Sequence, residues 1–238
     1  MSSAGPPVSC DAVLLDATGT LFRPWPSVGA VYAAVAAEHG VTAVPEALEA
    51  GFRAAWRRRA PRRFADDPEC RTSDAQEKAW WRAAVAATFE HAGLPDPGDA
   101  CFEAIFERFA EAACWRLFPD VEPVLACLRQ AGLCVGVVSN FDSRLHRICA
   151  GLGLAQRVDF VVASAEVGHG KPARQIFDIA VREAGTPAAR TLMVGDSPRD
   201  DVAGARAAGC LALWLDRSRP PSPHALPHLS RLPPLLGI

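Results

Sequence analysis

The sequence has no long apolar run, no C-x-x-C pair and almost no excess charge, and each absence excludes a class of protein. No stretch approaches the roughly 20 apolar residues that a membrane-spanning helix needs, so no membrane partner is expected. A net charge of −2 offers no field that would gather nucleic acid or anionic lipid. The opening "MSSAGPPVSC" lacks the basic-then-apolar layout of a secretory leader, and the expected location is cytoplasmic. The eight cysteines (Cys10, Cys70, Cys101, Cys114, Cys127, Cys134, Cys149 and Cys210) are scattered, most among apolar neighbours. A thiol there behaves as a small hydrophobe, and a chain of this size needs no disulfide framework. The six histidines form no zinc-ligand set, and no internal repeat is found.

What is present is half apolar and arranged in short bursts. Five β-rich runs stand out: "AVLLDA" (12–17), "CVGVVSN" (134–140), "DFVVAS" (159–164), "TLMVGD" (191–196) and "CLALWLD" (210–216). Each is nearly continuous in apolar residues, as a parallel strand covered on both faces must be. Amphipathic patterns ending in Gly lie between the last four, and another leads into the second run. Glycine tolerates the left-handed conformation that closes a helix. Alternating strands and helices predict βαβ units and a doubly wound α/β fold.

After the first run come about a hundred residues without a strand signal. They read as four helices: "VGAVYAAVAAEHG", "PEALEAGFRAAWRRRA", "AQEKAWWRAAVAATFEHAG" and "DACFEAIFERFAEAA". A loop that long is improbable in a compact domain, so a helical insertion is expected. The resulting organisation is core at 1–22, helical cap at 23–117 and core again at 118–238. The Pro-rich tail is expected to pack irregularly around a short last helix.

Ligands of an open parallel sheet bind beyond the carboxyl ends of its strands. Those ends carry a coherent set. The first brings Asp16, Thr18 and Gly19, and the second Ser139 and Asn140. The loop after the third brings Lys171 in "GHGKP", and the fourth brings Asp196, Asp200 and Asp201 in "GDSPRDD". The chemistry this suits is phosphoryl transfer. Asp16 is the candidate nucleophile. Asp196, with Asp201 or Asp200, is suited to hold Mg²⁺ beside it. Ser139 and backbone N–H groups would bind phosphoryl oxygens, Gly19 and Asn140 are expected to bind substrate beside them, and Lys171 would offset the charge. Gly19, Gly168, Gly170 and Gly195 would let backbone and ligand approach closely.

The order "DATGT", "VVSN", "KP", "GDSPRDD" resembles the four motifs of the haloacid dehalogenase superfamily, and the insertion resembles that superfamily's α-helical cap. The stretches "GFRAAWRRR" and "WWRAAVAATFEHAG" are similar, more loosely, to the haloacid dehalogenase-like hydrolase domain-containing protein 3 group. The resemblance implies Mg²⁺-dependent hydrolysis of a small phosphorylated compound through an aspartyl intermediate, with the cap closing over the substrate. It matches Asp16 to the nucleophile, Ser139 to the phosphate-binding hydroxyl, Lys171 to the charge-stabilising base, and Asp196 and Asp201 to the metal acids. It also implies that residue 18 lends its backbone carbonyl to the metal.

Residue 18 departs from the pattern. Phosphatases of the superfamily carry a second Asp there, which protonates the leaving group and then activates water. The Thr18 hydroxyl is far too weak an acid to do so, and general acid–base help is typically worth about 10²–10⁴-fold. Three readings follow: a substrate with a good leaving group, a substitute acid (Asp142, His169 or a cap residue), or a weak enzyme or binding scaffold. "DATGT" also resembles the D-K-T-G-T of P-type ATPases, but no membrane helices accompany it. Haloacid dehalogenases also lack the second Asp, yet do not need the metal acids that "GDSPRDD" supplies.

Two other features invite function. The "RAAWRRRAPRRF" run (53–64) holds six arginines. It reads as a solvated helix face offset by the acids at 66, 67 and 69, ahead of an anion-attracting cap patch or a nucleic-acid site. "GLG" at 151–153 reads as a helix end, not a nucleotide fingerprint. Trp80 and Trp81 are expected in the cap core or at its hinge. The expected assembly is a monomer or homodimer, with no nucleic-acid partner.

Overall fold

The structure is a computed structural model that describes residues 8–60, 63–218, 220 and 222–238. From the N-terminus, β1 (Ala12–Leu15) is followed by a short strand β2 (Phe22–Pro24) and then by four helices, α1 (Val28–Glu38), α2 (Pro45–Arg59), α3 (Asp74–His91) and α4 (Gly98–Arg108). A strand β3 (Trp115–Leu117) closes this excursion. Then come α5 (Val121–Gln130), β4 (Cys134–Ser139), α6 (Arg144–Gly151), β5 (Phe160–Ala163), α7 (Ser164–Val167), α8 (Arg174–Ala184) and β6 (Thr191–Gly195). A π-helical turn, Pro198–Ala203, runs into α9 (Gly204–Ala207), before β7 (Leu211–Trp214) and α10 (Leu232–Leu236).

Five strands form one parallel sheet in the order β5-β4-β1-β6-β7. β1 lies at its centre with all four residues buried, Leu15 standing between Val137 and Val194. Alternate residues feed two apolar layers. Val13, Leu15, Val135, Val137 and Val194 pack with Leu125 and Leu128 of α5 and Leu145 and Ile148 of α6. Leu14, Val138 and Met193 pack on the other face with Ile176, Phe177 and Ala180 of α8. Burying each such side chain contributes about 1.5–3 kcal/mol, which is why a run of apolar residues settles as a two-sided strand. Each of these eight cysteines is a free thiol, as the sequence suggests.

The four helices after β2 have their own apolar core, built on Tyr32, Val35, Leu48, Val85, Phe89, Phe102 and Ile105. Ser27 and Ser73 start α1 and α3 by accepting hydrogen bonds from the amides of Ala30 and Gln76. Pro45 starts α2, where its missing N–H costs nothing.

The expectation of a strand-free excursion needs correction. β2 and β3 pair antiparallel, Phe22 with Leu117 and Pro24 with Trp115, and form a two-stranded ribbon at its root. Each strand is three residues long, too short to show a period, and the partners are about ninety residues apart in sequence. No described helix is long and apolar enough to cross a membrane.

Candidate active site

The connections from β1 and β6 leave toward opposite edges of the sheet, so the crevice between their carboxyl ends is the switch point where an open α/β sheet binds ligands. Asp16 is the first residue beyond β1, held there by its amide donating to Val194 O at 3.0 Å. Its Oδ1 accepts from Lys171 Nζ at 2.6 Å and from Ser139 Oγ at 3.3 Å. Lys171 Nζ also donates to Asp201 Oδ1 at 2.6 Å and to Val138 O at 2.8 Å, which uses all three of its protons. Asp201 Oδ2 in turn accepts from the amide of Ser197 at 2.9 Å. Asp16, Ser139, Lys171 and Asp201 are all buried.

Asp196 completes the group. One carboxylate oxygen from each of Asp16, Asp196 and Asp201 lies within 4.8 Å of the others. Two glycines make this density possible. Gly19 has φ +90°, and a Cβ there would stand 2.2 Å from Asp196 Oδ2. A Cβ on Gly195 would stand 2.2 Å from Asp201 Oδ2. Any other residue at either position would push a carboxylate out of the cluster.

Three carboxylates share one ammonium. Burial, opposed by Lys171 and reinforced by Asp201, pushes Asp16 up to about 6. Asp196 is pushed up to about 8 by desolvation and by the carboxylates of Asp16 and Asp201. Its side chain still reaches the solvent of the cleft, so the two neighbouring charges are the firmer cause. Burial alone would lower the Lys171 ammonium, but Asp16 and Asp201 outweigh it and hold the group charged. Hard oxygen donors this close, repelling one another, fit a small divalent cation such as Mg²⁺.

Between Asp200 and Asp201, the structure brings only Asp201 into contact with Lys171. Asp200 does not cap the turn with its side chain; Ser197 does, accepting from the Asp200 amide at 3.0 Å. Asn140 and Gly19 both line the cleft, and the structure adds a protein partner to each. The Asn140 Nδ2 donates to Lys171 O at 2.8 Å and its Oδ1 accepts from the Lys171 amide at 2.6 Å. It clamps the lysine loop. The Gly19 amide donates to Phe22 O at 2.8 Å.

The substitute acids for Thr18 fare poorly. Asp142 is buried and takes two hydrogen bonds at 2.7 Å from the Arg144 guanidinium. His169 Nδ1 pairs with Glu69 O at 2.8 Å, outside the cleft lining. Among the described residues, the helical side of the cleft presents no carboxyl or imidazole. Thr18 itself lines the cleft, and its buried Oγ1 has no hydrogen-bond partner among the described residues.

The cleft, about 750 Å³, runs from these residues up between the four helices. The arginine run is only partly a solvated face. Arg53, Arg57 and Arg58 are exposed, but Arg63 turns inward to bond buried Glu77 and lies over Trp80. Among the described residues, Asp67 and Glu69 pair with Arg71 and Arg53 pairs with Glu49; Arg62 lies outside the described residues. Trp81 lines the cleft, and Trp80 packs edge-on against it.

The chain matches the haloacid dehalogenase-like hydrolase family model over residues 10–209. It is 34% identical over 234 residues to the mouse haloacid dehalogenase-like hydrolase domain-containing protein 3, covering 94% of this chain and 92% of that one. It is 39% identical over 142 residues to a phosphoserine phosphatase of Thermus thermophilus, covering 59% and 56%. The crystal structure of the L-2-haloacid dehalogenase RSc1362 superimposes with a TM-score of 0.73 at 25% identity, covering 97% of this chain and all of that one. With a carboxylate, a hydroxyl, an ammonium and two further acids gathered at the switch point of such a sheet, the chain belongs to the haloacid dehalogenase-like hydrolases.

Proposed function

We propose that this hydrolase releases phosphate from a small phosphorylated molecule through a phosphorylated Asp16. The observation that carries the reading is the pairing of Asp16 with Lys171 at 2.6 Å inside a cluster of three carboxylates. A carboxylate oxygen of Asp16 attacks phosphorus and the leaving oxygen departs with the bonding pair. Water then attacks the same phosphorus and the Asp16 carboxylate is released. Ser139 Oγ is suited to hold a phosphoryl oxygen, and the Lys171 ammonium offsets charge that would otherwise build up beside Asp16. Mg²⁺, held by Asp16, Asp196 and Asp201 with the Thr18 backbone carbonyl, would supply charge neutralisation at the phosphoryl oxygens. The segment 23–117 acts as a cap that excludes water and selects the substrate. The substrate is a small molecule, not a nucleic acid or a membrane surface.

The test is phosphate release from p-nitrophenyl phosphate and acetyl phosphate by wild type and Asp16→Asn, with Mg²⁺ and with EDTA. Turnover that disappears both in Asp16→Asn and in EDTA is the expected result. Turnover that survives either change contradicts the reading.

Thr18 favours one second reading, because a halide leaves without a proton and needs no acid there. The Asp196–Asp201 pair argues against it. Halide release from 2-chloropropionate by wild type, absent in Asp16→Asn, would establish dehalogenation instead.

A further inference from the structure

The cleft has two unlike ends. Its core end carries Asp16, Ser139, Lys171 and the acids, while its helical walls are aromatic: Tyr32, Phe52, Trp56, Trp81, Phe102 and Phe106. Trp56 and Trp81 stack with centroids 6.0 Å apart, and Tyr32 meets Phe52 edge-on at 6.4 Å. Among the described residues, three arginines line the cleft, Arg63, Arg144 and Arg199, and each has a carboxylate partner. Arg144 donates to both oxygens of Asp142 and to Phe106 O, and Arg63 bonds Glu77. A sugar or second phosphate placed among these rings would exchange water for apolar walls and leave its polar groups unpaired. A flat apolar ring would stack there.

On its helical side the cleft carries no described group that could protonate a departing alkoxide, and Thr18 cannot; of the core-side acids in its lining, Asp196 is assigned to the cation and Asp200 pairs with Arg199 at 3.8 Å. Resting on the phosphoryl-transfer reading above, we propose that the substrates are aryl phosphates, monoesters of a phenol whose ring lies among Trp56, Trp81 and Phe52. When Asp16 takes the phosphoryl group, the phosphorus–oxygen bond breaks and its electron pair stays on the aryl oxygen. A phenol ionises near pKa about 10, as tyrosine does, so the phenolate leaves unaided and takes its proton afterwards from water. An alcohol would have to leave as an alkoxide nearly as basic as hydroxide, with a pKa of about 16. The apolar walls and the missing acid therefore select the same chemical class.

The test compares wild-type turnover, with Mg²⁺, of 1-naphthyl phosphate, phenyl phosphate, benzyl phosphate, glucose 6-phosphate and acetyl phosphate. Benzyl phosphate separates the two arguments, having an aromatic ring but an alkoxide leaving group. The expected result is a KM for benzyl phosphate close to that for phenyl phosphate, with kcat lower by about 10²-fold or more. Glucose 6-phosphate should fall about 10²-fold below 1-naphthyl phosphate in kcat/KM on the same proton argument. Trp81→Ala, and separately Phe52→Leu, should lower the ratio of kcat/KM for 1-naphthyl phosphate to that for acetyl phosphate about tenfold. Equal kcat/KM for glucose 6-phosphate and 1-naphthyl phosphate, or equal kcat for benzyl and phenyl phosphate, would overturn the proposal. Turnover of acetyl phosphate with both aryl phosphates inert would overturn it and leave the phosphoryl-transfer reading standing. No phosphate release from any of the five, acetyl phosphate included, would remove both.

Discussion

Thr18 lines the cleft, and its buried hydroxyl oxygen has no hydrogen-bond partner among the described residues. A carboxyl group at this position would stand beside the departing oxygen and could carry a proton that Thr18 cannot. Thr18→Asp should therefore raise kcat for benzyl phosphate or glucose 6-phosphate by about 10²-fold, and change kcat for phenyl phosphate much less. Steady-state kinetics on the matched pair checks this. An equal gain on both substrates, or none on the alkyl ester, would show that proton delivery is not what residue 18 limits. The candidate residues Asp16, Ser139 and Asp196 were legible because each sits at the end of an apolar run, and strand ends converge in an open sheet, while Lys171 was legible from the Gly-flanked loop after the third run. Asn140 lines the cleft, and its clamp on the lysine loop needed the structure. Its place at a strand end marks it for the site, but only the fold brings its amide against the backbone of residue 171, thirty-one positions away.

At the scale of elements, the loop carrying Lys171 is held from two sides. Asn140, just beyond β4, clamps its backbone. From the other side, residues leading into α3 bond it: the Gly170 amide donates to Cys70 O at 2.8 Å and the Thr72 amide to Gly168 O at 3.0 Å. Removing the Asn140 clamp leaves the Lys171 amide without a partner, a loss of about 1–3 kcal/mol, and frees the lysine to drift from Asp16. Displacing a catalytic group by about 1 Å can cost 10²-fold, so Asn140→Ala should lower kcat by about that factor with little change in KM. Denaturant unfolding and kinetics measured together check both halves. A raised KM at unchanged kcat would assign Asn140 to substrate binding instead. The parallel sheet was readable from its apolar runs and from the glycines that close the helices between them. The β2–β3 ribbon was not, since Phe22–Pro24 and Trp115–Leu117 become strands only by finding each other. The choice between Asp200 and Asp201 also needed the structure, because the π-helical turn at Pro198–Ala203 decides which acid faces Lys171.

For the whole molecule, the carboxylate cluster links stability to pH and to metal. Asp16 and Asp196 are raised above the ordinary 3.8 of an aspartate, to about 6 and about 8. A group whose folded value is raised gives its full stability below the unfolded value and loses it as pH climbs through the folded one. The metal-free protein should thus lose thermal stability between about pH 4 and pH 8, as the cluster ionises. Mg²⁺ must displace those protons to bind, so it should restore more stability at the alkaline end of this window than at the acid end. At a hundredfold excess over Kd the gain is about 2.7 kcal/mol. Thermal melts with Mg²⁺ and with EDTA at pH 5 and pH 8.5 check the sign. A Mg²⁺ effect of equal size at both pH values would mean that the metal does not bind at these carboxylates.

The most direct measurement of the central claim is to quench wild-type protein during turnover of p-nitrophenyl phosphate with Mg²⁺ and map phosphoryl adducts by mass spectrometry. The account predicts one acid-stable, hydroxylamine-sensitive adduct on the peptide containing Asp16, absent in Asp16→Asn. Turnover with the adduct on another residue, or with no adduct while burst kinetics show that an intermediate accumulates, would contradict it.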